Sequence, residues 1–167
     1  CMIGAGRVGR QHSTTFTRSI AAARVTALVD PVPAALEALG TEFGIQARFA
    51  SLEQALDQAD FDAVLITTPT PTHALLAVQA ANHRKHVFLE KPMALTLEEC
   101  AQITAACQGN GALLQLGFMR RFDPEFAAAA QRIQAGEIGR PMMVKSLTHG
   151  PGLPPPWARD LRTSNGN

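Results

Sequence analysis

Three glycines near the start of the chain have the spacing of a phosphate-binding loop. Gly4, Gly6 and Gly9 are arranged as G-x-G-x-x-G between a short apolar stretch and a segment with a helical pattern. The first glycine permits a tight turn, the second lets the backbone approach a pyrophosphate, and the third lets the helix pack closely on the strand. The amides near Arg7 and Val8 would then face the phosphates. The spacing predicts a dinucleotide-binding loop.

Asp30 adds a second part of the same predicted site. It lies 21 residues beyond Gly9, at the end of an apolar run, where a carboxylate would accept hydrogen bonds from the adenosine ribose. The same carboxylate would repel a 2′-phosphate, and residues 31–33 contain no lysine or arginine. We therefore expect NAD as the cofactor, with NADP less favoured. Arg7 is the nearby side chain that would help to bind a phosphate.

A third group of candidates, Glu90, Lys91 and Pro92, follows the apolar run of residues 87–89. An amine at a strand end would hydrogen-bond a substrate hydroxyl or carbonyl oxygen beside a nicotinamide ring and exchange a proton with it. Lys91 is therefore the predicted catalytic residue, in contact with substrate and cofactor. Glu90 would hold the lysine in place or bind the nicotinamide ribose. Pro92 would stiffen the turn, and a cis Lys91–Pro92 bond is compatible with it. The alternative is a surface ion pair between Glu90 and Lys91.

The loop that begins at Thr67 supplies the remaining predicted cofactor contacts. Thr67, Thr68 and Pro69 bring hydroxyls and a restricted backbone to a strand end, where they suit packing against a dinucleotide. The alternative is a helix start with Thr72 as its N-cap, and both interpretations can hold. His73 would lie in the first helical turn, either as a cofactor contact or as a solvated or structural histidine.

These candidate site residues can act together only if the strands and helices bring them to one edge of a sheet. Apolar, β-rich runs alternate with amphipathic segments along the chain. We predict strands at residues 1–3, 24–30, 46–50, 62–68, 86–90 and 112–118, and helices at residues 7–20, 33–43, 52–58, 72–82, 96–108 and 124–135. Continuous apolar strands that alternate with helices predict an α/β fold, a doubly wound parallel sheet of the Rossmann type covered on both faces.

A break in this alternation predicts the domain organisation. Residues 1–139 would form the dinucleotide-binding domain, and residues 140–167 would begin a second domain. The second part would open with a strand at residues 142–150, followed by a proline-rich connection that is a stiff loop or a polyproline ligand. The chain starts at Cys1 with a very short first strand and stops in turn-forming residues. We therefore expect a piece of a longer protein, clipped at both ends.

The composition argues against several classes of function. The chain has 167 residues, of which 46% are hydrophobic and 17% charged, and its formal net charge is +1. These values are ordinary for a globular domain and give no electrostatic reason to expect binding to nucleic acid or to an anionic membrane. Three cysteines without a CxxC spacing argue against a metal site and indicate buried thiols in a reducing, cytoplasmic compartment. No apolar run approaches the ~20 residues that span a bilayer.

Three motifs together resemble one family. GAGRVGRQH at the first loop, EKP at residues 90–92 and GFMRRFDPEF at residues 117–126 resemble the glucose–fructose oxidoreductase, inositol dehydrogenase and MocA family. In that family the glycine motif continues to a histidine, here His12, and the lysine of EKP, here Lys91, contacts substrate and aids proton transfer. The segment after the sixth strand approaches nicotinamide and substrate, which implies that Arg120 is a substrate contact.

The resemblance implies an NAD(P)-dependent oxidoreductase that transfers hydride between nicotinamide and a secondary alcohol or ketone of a sugar, cyclitol or related polyol. GEIGRP at residues 136–141 resembles the passage into the family's second domain, an α+β domain that forms the substrate site and often the oligomer interface, so a homo-oligomer is expected. Family enzymes carry an Asp and a His early in that domain, and nothing in this sequence matches them. The chain alone is therefore expected to be inactive. The alternatives are a non-catalytic dinucleotide sensor or regulatory module, and an imine or bilin reductase.

Overall fold

The computed structural model describes residues 1–147. Six strands form one sheet: β1 (Met2–Ile3), β2 (Ala27–Val29), β3 (Ala47–Phe49), β4 (Ala63–Ile66), β5 (His86–Leu89) and β6 (Leu114–Leu116). Six α-helices alternate with them: α1 (Arg7–Ser19), α2 (Pro33–Phe43), α3 (Leu52–Gln58), α4 (His73–Asn82), α5 (Leu97–Asn110) and α6 (Pro124–Gln134). Two single turns of 3-10 helix, Thr70–Thr72 and Met119–Arg121, precede α4 and α6.

The strand order shows how the sheet is wound. The order is β3-β2-β1-β4-β5-β6, and every neighbouring pair is parallel. The chain runs outward from β1 to β3, returns to the other side of β1 for β4, and then runs outward again to β6. Sheets wound in this way bind ligands beyond the carboxyl ends of the strands, beside the point where the order reverses. The predicted doubly wound parallel sheet is confirmed.

Alternate strand residues divide the core between the two faces of the sheet. On one face, Met2, Leu28 and Leu65 pack with apolar residues of α2. On the other face, Ile3 and Ile66 pack with apolar residues of α3, α4 and α5. Because helices cover both faces, the residues that follow the strands at the carboxyl edge are the ones left for ligand contacts.

Side-chain caps explain where two of the helices begin. The Thr96 hydroxyl accepts a hydrogen bond from the Glu99 amide at 3.1 Å, and the Glu99 carboxylate accepts one from the Thr96 amide at 3.2 Å, so α5 opens with a complete capping box. Ser51 likewise accepts from the Gln54 amide at 3.3 Å. The Gln54 side chain turns instead to the amide of Ala50, so the capping box at the start of α3 is only half formed.

The largest difference from the predicted elements lies after Gly139. Residues 142–147, the first part of the predicted strand 142–150, form no strand. Met142 and Met143 are 84% and 89% exposed. The alternating pattern shows which side chains suit a strand, but a strand also needs a neighbour for its backbone hydrogen bonds, and none within residues 1–147 pairs with this segment. Residues 148–150 and the proline-rich connection lie outside the described residues.

Three further features bear on the function classes considered above. No helix within residues 1–147 is both long and apolar enough to cross a bilayer. In the same residues, no cluster of three or more His, Cys, Asp or Glu side chains could hold a metal ion. Cys1, Cys100 and Cys107 are free thiols. Burial raises the pKa of the Cys107 thiol, which disfavours the reactive thiolate there.

Candidate dinucleotide-binding and active site

The carboxyl ends of five strands lie level with one another. The last residues of β2, β1, β4, β5 and β6 are paired across the sheet. The residues that follow these strands therefore form one row, in the order Asp30, Gly4, Thr67, Glu90 and Gly117. Each of their amides donates to the last carbonyl of a neighbouring strand, with N···O distances between 2.8 and 3.1 Å. The sheet thus brings the separate motifs of the sequence to one edge.

The glycine loop turns tightly at the end of β1. Gly4 has φ 102°, a backbone conformation that residues with a Cβ rarely adopt. A Cβ on Gly9 would lie 2.0 Å from the Gly4 carbonyl oxygen, so α1 approaches the loop at a distance that only glycine allows. Gly6 differs from both, because an added Cβ would meet nothing within 4 Å. The space above Gly6 is where a pyrophosphate would approach the backbone.

The start of α1 is open to an anion. The amides of Arg7, Val8 and Gly9 have no partner within the helix, as in the first turn of any helix. The helix has no side-chain cap and no acidic residue in its first turn. By contrast, α3, α5 and α6 each have a side-chain cap, from Ser51, Thr96 and Asp123. The uncapped amides and the positive end of the helix dipole suit a phosphate.

Asp30 is joined to the glycine loop by its side chain. One carboxylate oxygen accepts from the Ala5 amide at 2.8 Å, and the other accepts from the Val32 amide at 2.9 Å. Each carboxylate oxygen can accept a second hydrogen bond, so the predicted ribose contact remains compatible with this geometry. Asp30 therefore has a structural role as well, because it holds the loop against the end of β2.

Arginines border the cleft beside this loop. A cleft of about 520 Å³ lies between the first turn of α1 and the face of α2, and it includes both Arg7 and Arg10. The Arg10 guanidinium pairs with the Glu42 carboxylate at 2.8 Å, and this contact raises the pKa of Arg10. Arg7 is exposed and has no carboxylate partner in the described part of the chain. Of the two, Arg7 is the cation available to a phosphate.

The threonines after β4 have different partners from those expected. The Thr67 hydroxyl lies 3.1 and 3.0 Å from the carbonyl oxygens of Ile3 and Gly4, so it supports the glycine loop and is turned away from a ligand. The Thr72 hydroxyl donates to the Pro69 carbonyl at 2.8 Å and makes no cap for α4. The Thr68 hydroxyl lies 2.7 Å from that of Thr72. Of this loop, Thr68 and Pro69 remain the candidates for cofactor contact.

Glu90 is held by groups from three elements. His12 of α1 donates from Nε2 to the Glu90 carboxylate at 2.7 Å, and the Lys91 amide donates to the second oxygen at 3.2 Å. A Cβ on Gly117, after β6, would lie 3.2 Å from this carboxylate. The ion pairs within residues 1–147 include none between Glu90 and Lys91. The alternative of a Glu90–Lys91 surface pair is therefore wrong, and Glu90 fixes the lysine through its backbone.

Lys91 itself projects from this edge. Its side chain is exposed, and no hydrogen bond or ion pair within residues 1–147 engages the ammonium group. The Lys91–Pro92 peptide bond is cis. An amine that no protein group neutralises, carried on a loop whose backbone is anchored, is suited to contact with a ligand.

His73 is placed differently from the prediction of a cofactor contact. The side chain is 1% exposed, and its two ring nitrogens each lie 2.9 Å from a backbone carbonyl oxygen, that of Pro92 and that of Thr68. A ring with no exposed surface and no free nitrogen has nothing to offer a dinucleotide directly. This geometry supports the structural interpretation of His73. It argues against the predicted contact between His73 and the cofactor.

Arg120 lies in the turn after β6. Its guanidinium stacks over the Phe126 ring, 4.7 Å from the centroid, and its side chain is exposed. The stacking orients the cation without neutralising its charge. Because Gly117 is level with Glu90, this turn starts at the same edge as the Lys91 loop, as the predicted substrate contact requires.

The sequence profile of an oxidoreductase family with an NAD-binding Rossmann fold, the Gfo/Idh/MocA family, matches residues 1–118. That match contains all six strands of the sheet and every motif at its carboxyl edge except the Arg120 turn. The chain belongs to the Gfo/Idh/MocA family. The resemblance inferred from the three motifs is thereby confirmed.

Several Gfo/Idh/MocA relatives are similar over most of this chain. The scyllo-inositol 2-dehydrogenase (NAD(+)) of Bacillus subtilis is 38% identical over 154 residues, which are 92% of this chain and 45% of the relative. The inositol 2-dehydrogenase of Rhizobium meliloti is 39% identical over 154 residues, which are 92% of this chain and 46% of that protein. The chain spans less than half the length of these curated relatives.

Solved Gfo/Idh/MocA structures have the same fold. The scyllo-inositol dehydrogenase of Lactobacillus casei with bound NAD(H) and scyllo-inositol superposes with a TM-score of 0.78 at 36% identity, over 83% of this chain and 41% of that one. The WlbA dehydrogenase of Bordetella pertussis in complex with NADH and UDP-GlcNAcA has a TM-score of 0.80 at 29% identity, over 83% of this chain and 42% of that one.

Two residues of this Gfo/Idh/MocA site were not among the predicted contacts. His12 appears in the motif that carries the resemblance, but only the fold shows that it reaches Glu90. Gly117 follows an apolar strand, and the sequence has no signal for the carboxylate packed against it. The level ends of β5 and β6 bring the β6 loop to the Glu90 side chain, and α1 reaches the same side chain through His12.

Proposed function

We propose that the protein containing this chain is an NAD-dependent dehydrogenase that moves hydride between C4 of the nicotinamide and a carbon bearing a secondary hydroxyl or ketone. The substrate is a cyclitol, a sugar or a related polyol. The observation that carries this proposal is the single row of residues at the carboxyl edge, with the glycine loop and Asp30 at one side and Lys91 at the other. Two relatives with similar sequences, a scyllo-inositol 2-dehydrogenase and an inositol 2-dehydrogenase, also support the proposal.

The dimensions of the edge suit an extended dinucleotide. Asp30 and Glu90 are three strand positions apart, with Gly4 and Thr67 between them. Three strand spacings are about 14 Å. An adenosine ribose at Asp30 and a pyrophosphate above Gly6 therefore leave the nicotinamide end near Lys91. The open space above Gly6 and the uncapped amides of α1 fit this cofactor.

Each chain residue then has a distinct role. The bound nicotinamide supplies the hydride chemistry. Lys91 donates a hydrogen bond to the substrate oxygen, polarises the C–O bond and takes part in moving the hydroxyl proton. Glu90, held by His12, keeps the backbone of Lys91 in place. Arg120, stacked on Phe126, orients a second oxygen of the substrate.

We propose that the reaction also needs a second domain, which begins near Gly139 and supplies the main proton acceptor and most of the substrate site. A homo-oligomeric assembly and a cytoplasmic location stay predictions.

The experiment that tests the function is a turnover assay of the full-length protein. With NAD and either scyllo-inositol or myo-inositol, we expect formation of reduced nicotinamide. Lys91, Arg120 and groups of the second domain would be sufficient to recognise a small polyol. UDP-GlcNAcA, the ligand in the WlbA complex, serves as the comparison substrate. Tight NAD binding without turnover on any polyol, nucleotide sugar or imine would instead support a dinucleotide sensor.

A further prediction concerns the choice of cofactor. Replacing Asp30 with alanine is expected to weaken NAD binding by about 10-fold or more, because charged hydrogen bonds to the ribose are lost. NADP binding should hold or improve, because the repulsion of the 2′-phosphate disappears. Affinities for both cofactors are measured by titration calorimetry.

Because Asp30 also holds the Ala5 amide, the alanine variant needs a control for loop damage. Asp30→Asn removes the charge but keeps an oxygen that accepts from the Ala5 amide. We expect both variants to change the ratio of NADP to NAD affinity in favour of NADP. If both variants lose the two cofactors equally, Asp30 acts only as a support for the loop.

A further inference from the structure

His73 is a buried polar side chain that the proposed reaction does not use. It is the first residue of α4, and its side chain is 1% exposed at the boundary of an otherwise apolar core. Burying an imidazole is costly unless its nitrogens are hydrogen-bonded. Both nitrogens are bonded here, and the identity of their partners indicates what the side chain does.

The two partners belong to the two loops that would hold the reacting groups. Nδ1 lies 2.9 Å from the carbonyl oxygen of Pro92, the residue directly after Lys91. Nε2 lies 2.9 Å from the carbonyl oxygen of Thr68, in the loop after β4. β4 and β5 are neighbours in the sheet. The ring therefore spans the two strand ends between which a nicotinamide and a substrate would meet.

A carbonyl oxygen can only accept a hydrogen bond, and an imidazole N–H is a donor. The contacts at Nδ1 and Nε2 therefore join the Pro92 carbonyl and the Thr68 carbonyl through one buried ring.

We propose that His73 is a positioning residue that sets the distance between Lys91 and the cofactor through the contacts of its two ring nitrogens with the Pro92 and Thr68 carbonyls. The proposal rests on the function proposed above and adds a group that touches neither substrate nor cofactor. His12 holds the loop through Glu90 on one side of Lys91, and His73 holds it through Pro92 on the other. Only His73 also contacts the neighbouring loop after β4.

The test is a double-mutant cycle in the full-length protein. His73→Ala is expected to lower kcat by about 10-fold to 100-fold, since small displacements of a reacting group have effects of this size. NAD affinity should fall less than kcat, because the Gly4–Gly9 loop and Asp30 do not contact His73. In a Lys91→Ala background, His73→Ala should change the residual single-turnover rate by no more than about 2-fold, because a residue that acts through Lys91 has nothing left to position.

The matched control is His83→Ala, which removes an exposed histidine at the opposite end of the same helix and should leave all rates unchanged. If His73→Ala does not fold, His73→Gln retains one donor and is expected to have an intermediate kcat and the same lack of additivity with Lys91→Ala.

Three results would overturn the inference. Losses of His73→Ala and Lys91→Ala that multiply would show that the two residues act independently. A wild-type kcat in His73→Ala would remove the positioning role while leaving the proposed function intact. A wild-type kcat in Lys91→Ala would instead contradict the proposed function itself.

Discussion

Replacing Lys91 with alanine is expected to lower kcat of the full-length protein on its polyol substrate by about 100-fold to 10,000-fold, the range of a lost general acid or base. The side chain is exposed, and no group within residues 1–147 engages its ammonium, so its removal should not disturb the fold. The loop is anchored by the Glu90 carboxylate and the Pro92 carbonyl, not by the lysine side chain. NAD affinity should therefore fall far less than kcat.

Lys91→Arg separates the two tasks assigned to this side chain. Arginine retains a positive charge and hydrogen-bond donors but does not release a proton. If the lysine mainly polarises the substrate oxygen, the arginine variant should recover part of kcat; if proton transfer dominates, it should resemble the alanine variant. Steady-state kinetics together with NAD titration make the measurement. Turnover close to wild type in both variants would exclude Lys91 from catalysis.

Gly9→Ala is expected to have the largest effect on stability. Its Cβ would lie 2.0 Å from the Gly4 carbonyl oxygen and 3.1 Å from the Gly4 carbonyl carbon. These are backbone atoms that cannot rotate away, so α1 has to move relative to β1. We expect a loss of about 3 kcal/mol in the free energy of unfolding, at the upper end of ordinary overpacking, together with weaker NAD binding. Chemical denaturation and cofactor titration of the full-length protein measure the two effects.

Gly6→Ala is the matched control for this substitution, because the glycine stands in the same loop with nothing within 4 Å of an added Cβ. Its φ of −79° is accessible to alanine, and a change at this N-cap position should cost less than about 1 kcal/mol. NAD affinity should nevertheless fall, since the methyl group would stand where the pyrophosphate approaches. Wild-type stability in Gly9→Ala, or wild-type NAD affinity in Gly6→Ala, would contradict the assigned roles of the two glycines.

Lys91 and His73 show what the sequence could and could not predict at this site. The EKP motif was sufficient to identify Lys91 as the candidate for catalysis, because an amine is unusual at the end of an apolar strand. Nothing in the sequence around His73 distinguishes a cofactor contact from a buried support. The same holds for Thr67, whose hydroxyl is turned toward the glycine loop. The Pro92 partner of His73 and the Ile3 and Gly4 partners of Thr67 lie in other segments of the chain.

The predicted strand at residues 142–150 illustrates a second limit. Alternating hydrophobicity describes which side chains fit one face of a sheet. It does not supply the neighbouring strand whose amides and carbonyls complete the hydrogen bonds, and residues 142–147 have no such neighbour within the described chain. The parallel strands β1 to β6 were predicted correctly because each is a short apolar run, and each of β1 to β5 is followed by a helix that returns the chain to the sheet.

The sequence by itself determined the alternation of strands and helices, the glycine loop at the end of β1 with Asp30 at the end of β2, and the lysine at the end of β5. These features depend on local physical properties: apolar periodicity, the backbone freedom of glycine and the charge of a side chain. Only the tertiary structure decided that five strands end at the same level, that His12 reaches Glu90, and that His73 joins the Thr68 and Pro92 carbonyls. Hydrogen bonds of this kind depend on the register of the sheet, and register is set by packing between segments that lie far apart in the chain.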